Sequence, residues 1–354
     1  MDLHLVGGFL GSGKTTGIIA ACHRLTAEGK TVGVVTNDQG KYLVDTAFFE
    51  AADLPTVEVT GGCFCCRYED LENVLAKLED NASPDAIFAE SVGSCADLVA
   101  TVVRPLIASE SARTHLRSFS VFTDARLLER RLNDQPLPFA DNLVYLFDKQ
   151  IEEAGLLIVN KSDLLGDRLD TLVQLATSRF SDIQVLAQDS RSPDGVDNWL
   201  GKISSGDSLT GRVTADLDYD VYGAAEAELA WLNHMVRLAP SDRPVVERVG
   251  EIIDRILGEL EDAVVGHVKF AIETDVGRYK VSVTTEDRVS WRDQIADVRG
   301  ATANVLINAR VVAGADDLQR IVSDAVDGVR GATAIGDSTE AFHPAYPTPT
   351  HRIL

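Results

Sequence analysis

A glycine-rich loop near the start of the chain constrains the fold more than any other feature. Residues 8–15 read G-F-L-G-S-G-K-T, which satisfies the phosphate-loop pattern G-x-x-x-x-G-K-[ST], and they lie between a strand-like run at 3–6 and a helical run. In that setting backbone N–H groups converge on phosphates, the lysine reaches the β- and γ-phosphate oxygens, and a hydroxyl ligates Mg²⁺. The residues expected to bind the nucleotide here are Gly8, Gly11, Ser12, Gly13, Lys14, Thr15 and Thr16.

Short apolar or β-branched runs alternate with helical patterns through the first two hundred residues. These runs predict strands at 3–6, 31–36, 56–60, 86–90, 119–123, 156–160 and 183–186. Such alternation is typical of βα units that build a mostly parallel sheet with helices on both faces. We therefore predict the α/β fold of P-loop NTPases, followed by a smaller α+β domain.

Composition shifts suggest where the domains begin and end. Residues 204–211, S-S-G-D-S-L-T-G, are small and polar as in a linker. We expect a nucleotide-binding domain at 1–203, a linker at 204–222, a small α+β domain at 223–330 and an extended or disordered proline-rich tail at 331–354. Within the small domain, residues 226–238 are interpreted as a strand, with a helix as the alternative.

The overall totals narrow the functional class. A chain of 354 residues with a formal charge of -22 is a poor general binder of nucleic acid, because that affinity comes mainly from lysine and arginine. No apolar run approaches the roughly 20 residues that span a bilayer, and no signal peptide precedes the glycine-rich loop. We expect a cytoplasmic protein that binds neither nucleic acid nor membrane.

A second motif indicates which base is bound. The predicted strand at 156–160 leads into Asn160, Lys161, Ser162 and Asp163, the N-K-x-D arrangement. A carboxylate at Asp163 accepts from N1–H and from the exocyclic amine of guanine, which adenine lacks. The sequence therefore predicts GTP, bound by Asn160, Lys161 and Asp163.

Acidic residues after two other strands are candidates for magnesium and for the γ-phosphate. Glu90 ends the run at 86–90 and Gly93 follows it, so Glu90 is expected to join Thr15 at Mg²⁺, and Lys14, Glu90 and Gly93 are the predicted catalytic residues. Residues 37–40, N-D-Q-G, with Asp45 form a second candidate switch loop or an ordinary turn.

Three cysteines stand within four residues after the predicted strand at 56–60. Cys63, Cys65 and Cys66 follow two glycines, and closely spaced thiolates suit Zn²⁺ or another thiophilic ion, although buried structural cysteines are the alternative. Three ligands leave a tetrahedral ion one short, which favours transfer over permanent binding. Water, Cys95, Asp38 or a client side chain is the candidate fourth ligand, and Asp45 is a further candidate metal ligand.

Taken together, these motifs resemble the CobW-like family of P-loop GTPases over about residues 3–190. The family pattern G-F-L-G-[AS]-G-K-T-T is matched by residues 8–16, G-C-x-C-C by 62–66, and E-x-x-G by 90–93. The N-E-F-G-x-x-x-x-D stretch is matched at Asn37, Gly40 and Asp45, but Asp38 and Gln39 replace its other two letters. The resemblance implies slow GTP hydrolysis that controls delivery of Zn²⁺ or Co²⁺ to a client metalloprotein.

Other functions stay open at this point. A corrinoid or cobalamin-dependent enzyme is an alternative client, a GTP-gated scaffold without catalysis is an alternative class, and a homodimer is an alternative assembly. A P-loop kinase needs an acceptor pocket and a lid, and the sequence indicates neither.

Overall fold

The computed structural model of the protein describes residues 1–38, 44–81, 83–109, 114–205, 214–260, 263, 265–287, 291–335 and 339–354. The chain divides into two compact units. Unit 1 contains residues 1–39, 52–223 and 347–354, and unit 2 contains residues 40–51 and 224–346. Within the described residues, no helix is both long enough and apolar enough to cross a bilayer.

Strands make up two separate sheets. In chain order they are β1 (Asp2–Gly8), β2 (Val32–Asp38), β3 (Thr56–Thr60), β4 (Ala86–Glu90), β5 (His115–Asp124), β6 (Leu156–Asn160), β7 (Gln184–Gln188), β8 (Leu229–Leu238), β9 (Val265–Thr274), β10 (Arg278–Val283), β11 (Ala303–Val312), β12 (Ala332–Ala334) and β13 (Glu340–Phe342). The first seven belong to unit 1 and the rest to unit 2.

Helices are distributed over both units. In chain order they are α1 (Lys14–Ala27), α2 (Val44–Ala51), α3 (Tyr68–Asn81), α4 (Arg104–Ala108), α5 (Ala125–Leu132), α6 (Asp141–Glu152), α7 (Leu169–Arg179), α8 (Pro193–Ile203), α9 (Tyr219–Ala227), α10 (Val245–Glu259), α11 (Trp291–Ile295) and α12 (Ala315–Asp327). A π-helical turn, Val99–Val103, leads into α4.

Unit 1 is built on a seven-stranded parallel sheet in the order β3-β2-β4-β1-β5-β6-β7. Each predicted strand of the first two hundred residues is present, and the predicted α/β P-loop fold is confirmed. The central strands are rich in apolar residues because they are buried on both faces. Strand β4, for example, is buried over its full length, and its first four residues are A-I-F-A. The parallel arrangement brings the carboxyl ends of all strands, and the loops that follow them, to one edge.

Unit 2 carries an antiparallel sheet in the order β10-β9-β11-β8-β12, with β13 also paired to β8. Alternate side chains of β8, β9 and β11 pack with the apolar faces of α10 and α12 in one core. The predicted small α+β domain is confirmed. Of the two interpretations for residues 226–238, both hold in part, because α9 ends at Ala227 and β8 begins at Leu229.

Helix α2 belongs to unit 2, although it lies between β2 and β3 in the chain. Its carboxylate Asp45 is 2.5 Å from Lys269 Nζ on β9, and Lys280 Nζ lies 5.8 Å from the ring centroid of Phe48. Helix α2, which lies between β2 and β3 in the chain, is therefore attached to β9 and β10 of unit 2.

Candidate nucleotide and metal site

The glycine-rich loop adopts a backbone that only glycine accepts at two key positions. Gly8 has a φ of 126°, and a Cβ there would lie 2.1 Å from the carbonyl oxygen of Phe122. Gly13 has a φ of 90°, and a Cβ there would lie 2.3 Å from Nδ2 of Asn160. The loop therefore packs directly on β5 and on the N-K-x-D strand β6, with helix α1 starting immediately behind it.

The residues predicted to bind phosphate and Mg²⁺ lie close together at the glycine-rich loop. Lys14 Nζ donates to the carbonyl oxygens of Gly8 at 2.7 Å and Phe9 at 3.3 Å, so the ammonium group lies inside the loop. Thr15 Oγ1 donates to Glu90 Oε1 at 2.9 Å. Thr15 lies in the first turn of α1 and Glu90 ends β4. A hydroxyl and a carboxylate oxygen this close are hard oxygen donors of the kind that Mg²⁺ takes beside a phosphate. Thr16 follows on the half-buried side of α1.

The N-K-x-D residues take three different positions. Asn160 is buried, donates to the Ser12 carbonyl oxygen at 2.8 Å and accepts from the Ser190 amide at 3.1 Å, so it braces the glycine-rich loop. Lys161 has a φ of 59° and its Nζ lies 3.0 Å from Asp124. Asp163 is exposed in a short 3-10 turn, where its carboxylate is open to a base.

Asp124 holds Lys161 in place through its charge. Burial raises the pKa of Asp124, but hydrogen bonds and charge from Arg126 and Lys161 outweigh that effect, and the pKa falls below its usual value. Arg126 Nη2 is 2.6 Å from Asp124 Oδ2. The carboxylate therefore remains ionised and fixes the ammonium group of Lys161 at the end of β6.

Gly93 connects the glycine-rich loop to Cys95. A Cβ at position 93 would lie 3.2 Å from Cα of Leu10, so the two loops are in direct backbone contact. Gln150 Nε2 donates to the carbonyl oxygens of both Gly93 at 3.0 Å and Cys95 at 2.9 Å. The buried side-chain amide of Gln150 therefore links Gly93 to Cys95. This role of Gln150 could not be predicted from the spacing of residues in the sequence.

The three clustered cysteines form a compact thiol group at the end of β3. The Sγ atoms of Cys63 and Cys65 are 2.7 Å apart, those of Cys63 and Cys66 3.3 Å, and those of Cys65 and Cys66 3.7 Å. The turn is closed by the amides of Cys66 and Arg67, which donate to the Cys63 carbonyl oxygen at 3.0 Å and 2.9 Å. Cys63 and Cys65 are buried, whereas Cys66 is half-buried and faces solvent in part.

Their pKa values diverge because one thiol accepts from the others. Hydrogen bonds from Cys65 and Cys66, with a further one from Cys95, hold the pKa of Cys63 well below its usual value. Hydrogen bonding to Cys63 raises the pKa of Cys65 and raises that of Cys66 to about 11. The ligand atoms of the three cysteines all lie within 4.8 Å of one another.

Asn37 fixes this thiol loop from the neighbouring strand β2. Its side-chain oxygen accepts from the Phe64 amide at 2.8 Å, and its Nδ2 donates to the carbonyl oxygens of Gly62 at 2.7 Å and Val59 at 3.1 Å. The predicted switch loop begins at this residue. Its Asp38 side chain, Gln39 and Gly40 lie outside the described residues, and Asp45 is paired with Lys269 in unit 2.

Replacing Asn37 by alanine is expected to loosen the thiol loop. The change leaves a buried amide and two carbonyl groups without their partner, at a cost of about 1–3 kcal/mol to the local structure. Labelling of the cluster by a disulfide reagent in metal-free protein should speed up about tenfold. Asn73→Ala, on the exposed side of α3, is the matched control, and equal labelling rates in the two variants would contradict this role.

Comparison with known proteins identifies the class. A model of the CobW/HypB/UreG nucleotide-binding domain family matches residues 2–187, more than half of the 354 residues. The chain therefore belongs to the CobW/HypB/UreG family of P-loop GTPases, and the resemblance drawn from its motifs is confirmed.

Individual relatives are more distant. A zinc chaperone CobW of Sinorhizobium is 29% identical over 182 residues, covering 46% of this chain and 51% of that protein. The urease accessory protein UreG of Streptomyces coelicolor is 30% identical over 205 residues, covering 54% of this chain and 80% of that protein. The chain thus spans about half the length of the first of these relatives.

Solved structures are similar at low identity. HypB from Helicobacter pylori in complex with nickel aligns with a TM-score of 0.42 and 16% identity, covering 60% of this chain and 91% of that one. The Zn(II)-bound YjiA GTPase of Escherichia coli aligns with a TM-score of 0.38 and 17% identity, covering 93% of this chain and 99% of that one.

Proposed function

We propose that this protein is a GTP-hydrolysing metallochaperone that holds Zn²⁺ on Cys63, Cys65 and Cys66 and passes it to a client metalloprotein. The observation that carries the proposal is the thiol group itself, which lies at the same sheet edge as the glycine-rich loop. The two relatives described above add support, because one is a zinc chaperone and the other is a urease accessory protein.

The nucleotide half of the proposal rests on residues with distinct tasks. Lys14 offers a positive charge to the β- and γ-phosphate oxygens, and Thr15 with Glu90 would hold Mg²⁺, which neutralises phosphate charge when bound. The exposed carboxylate of Asp163 accepts from the two guanine N–H groups. Gly93 brings its backbone against the glycine-rich loop, so a change at the γ-phosphate acts on the segment that also carries Cys95.

The thiol spacing fits a tetrahedral ion after a small adjustment. Zn–S bonds of about 2.3 Å place sulfur atoms about 3.8 Å apart. The Cys65–Cys66 separation of 3.7 Å already matches, and Cys63 and Cys65, now 2.7 Å apart, have to spread by about 1 Å. Soft thiolates favour Zn²⁺ over Mg²⁺, while Co²⁺ is the alternative cargo with similar tetrahedral chemistry.

Cys95 is the fourth ligand in this proposal. It is buried, it is a hydrogen-bond partner of Cys63, and Gln150 ties it to Gly93. Asp45 is a weaker candidate because its carboxylate is engaged by Lys269. With Cys95 in the metal shell, hydrolysis would weaken the site by moving a ligand rather than by acting at a distance.

A metal-affinity measurement in two nucleotide states tests the proposal. Competition with a chromophoric zinc chelator should give a Zn²⁺ dissociation constant at least about tenfold lower with a non-hydrolysable GTP analogue and Mg²⁺ than with GDP, since coupling energies of 1–3 kcal/mol are typical. Equal affinities in both states would instead favour a GTP-gated scaffold in which the cysteines are structural.

A pull-down with the protein in the GTP-analogue state tests the identity of the client. Preferential capture of a corrinoid-dependent enzyme would favour that alternative partner over another client metalloprotein.

A further inference from the structure

The last eight residues of the chain lie along the thiol loop. Residues 347–354, P-T-P-T-H-R-I-L, contain no helix or strand. The Thr350 amide donates to the Cys65 carbonyl oxygen at 2.8 Å, and its hydroxyl donates to the Cys66 carbonyl oxygen at 3.3 Å. Farther along, the Ile353 amide donates to the Ala100 carbonyl oxygen at 2.9 Å. Main-chain groups therefore provide most of this attachment, which makes it tolerant of sequence.

One side chain supplies a specific contact. Arg352 Nε is 2.7 Å from Oδ2 of Asp97, a carboxylate with no exposed surface, and the same oxygen accepts from the Tyr219 hydroxyl at 2.8 Å. Among the described residues, Asp97 Oδ1 has no hydrogen-bond partner. A buried carboxylate half satisfied in this way is a recognition point for a guanidinium group, and Arg352 uses only one of its two oxygens.

The segment also touches the metal-binding side of the loop. A backbone hydrogen bond from Thr348 reaches the half-buried Cys66 thiol. The ring of His351 packs edge-on against Tyr68, with ring centroids 5.0 Å apart, at the start of the helix that follows the cysteines. Whatever occupies this groove therefore stands beside the most accessible of the three thiols.

We propose that this groove, formed by the carbonyl groups of Cys65, Cys66 and Ala100 together with Asp97 and Tyr68, is the docking site for an extended, arginine-bearing peptide segment of the metal acceptor. Residues 347–354 are its resident occupant. The identification of this partner as the metal acceptor rests on the function proposed above. An arginine of the acceptor that donates to both oxygens of Asp97 would form a bidentate pair, which Arg352 does not make. The acceptor can therefore displace residues 347–354 from the groove.

Charge favours the same kind of partner. The chain carries a formal charge of -22, so a basic segment is attracted to it and associates faster than a neutral one. The partner's recognisable features are an extended main chain, a residue with a backbone N–H opposite Cys65, and an arginine two positions later. Displacement exposes Cys66 at the moment when the acceptor's own ligands arrive beside it.

The test uses the full chain, without metal or nucleotide. A fluorescent peptide P-T-P-T-H-R-I-L should bind the Arg352→Glu variant at least about tenfold more tightly than it binds the wild-type chain, by fluorescence anisotropy, because the variant's own segment is repelled from Asp97. The same peptide with glutamate in place of arginine should bind at least about tenfold more weakly. Arg320→Glu, on the exposed side of α12, should behave as wild type.

A second readout guards against a folding defect in the variant. Labelling of Cys66 by a disulfide reagent should be several times faster in Arg352→Glu and should return to the wild-type rate when the arginine peptide is added. Equal binding of the arginine and glutamate peptides, or labelling that the peptide does not slow, would overturn the groove assignment. Neither measurement requires metal binding or GTP hydrolysis, so a failure of the proposed function would be recognised separately.

Discussion

Replacing Lys14 by alanine is expected to lower kcat for GTP hydrolysis at least about 100-fold, since removal of one group that stabilises transition-state charge commonly costs that much. Lys14 is the cation whose Nζ lies inside the glycine-rich loop, 2.7 Å from the Gly8 carbonyl oxygen. When GTP binds, we expect the same group to face the β- and γ-phosphates. Phosphate release under saturating GTP, followed with a coupled assay, measures the effect.

The matched control for this variant is another lysine near α1. Lys30 follows the helix, is largely exposed and lies 3.8 Å from Glu28 in a surface ion pair, so Lys30→Ala should keep kcat within about twofold of wild type. Hydrolysis that survives Lys14→Ala but is lost in Lys30→Ala would contradict the assignment of the phosphate loop.

Replacing Cys65 by serine is expected to weaken Zn²⁺ binding by about two orders of magnitude or more. A neutral hydroxyl substitutes poorly for a thiolate at Zn²⁺, and Cys65 lies at the centre of the turn, within 3.7 Å of both other sulfur atoms. Chelator competition at fixed pH measures the loss. GTP hydrolysis measured with Mg²⁺ but without Zn²⁺ should be little changed, because β2 and β4 separate the thiol strand from the phosphate-loop strand.

Cys22→Ala serves as the control for thiol removal. Cys22 is fully buried on α1, away from the cluster, and burial raises the pKa of its thiol to about 12. Its loss costs core packing but no metal ligand, so Zn²⁺ affinity should stay within about twofold of wild type. Equal loss of affinity in both variants would mean that the cysteines contribute to structure and do not hold the metal.

Local sequence signals predicted much of the fold and located the candidate site residues in the chain. The phosphate loop can be predicted from sequence because its glycines, Lys14 and Thr15 have to occupy fixed positions between a strand and a helix. Strands such as β4 can be predicted because burial on both faces favours a run of apolar residues, here A-I-F-A before Glu90. The cysteine cluster is readable because its ligands are neighbours in the chain, and the structure brings their sulfur atoms together.

Other features depend on contacts between distant parts of the chain. Asn37 looks like a turn residue or a switch residue, and only the pairing of β2 with β3 places its amide against residues 59–64. The sequence predicts an extended or disordered tail for the proline-rich end of the chain. Its contact with Asp97 could not be predicted, because Asp97 is 255 residues away from Arg352 in sequence. Likewise, Asp45 follows a family pattern, and its partner Lys269 comes from a strand more than two hundred residues later.

In the proposed function, the thiol site and the nucleotide site are coupled through Gly93, Gln150 and Cys95. The most direct test is a single turnover of protein loaded with Zn²⁺, GTP and Mg²⁺, in which phosphate release and transfer of Zn²⁺ to a chromophoric chelator are followed together. We expect one shared rate constant, with transfer at least about tenfold slower when a non-hydrolysable analogue replaces GTP. Transfer at the same rate with GTP and with the analogue would contradict this coupling.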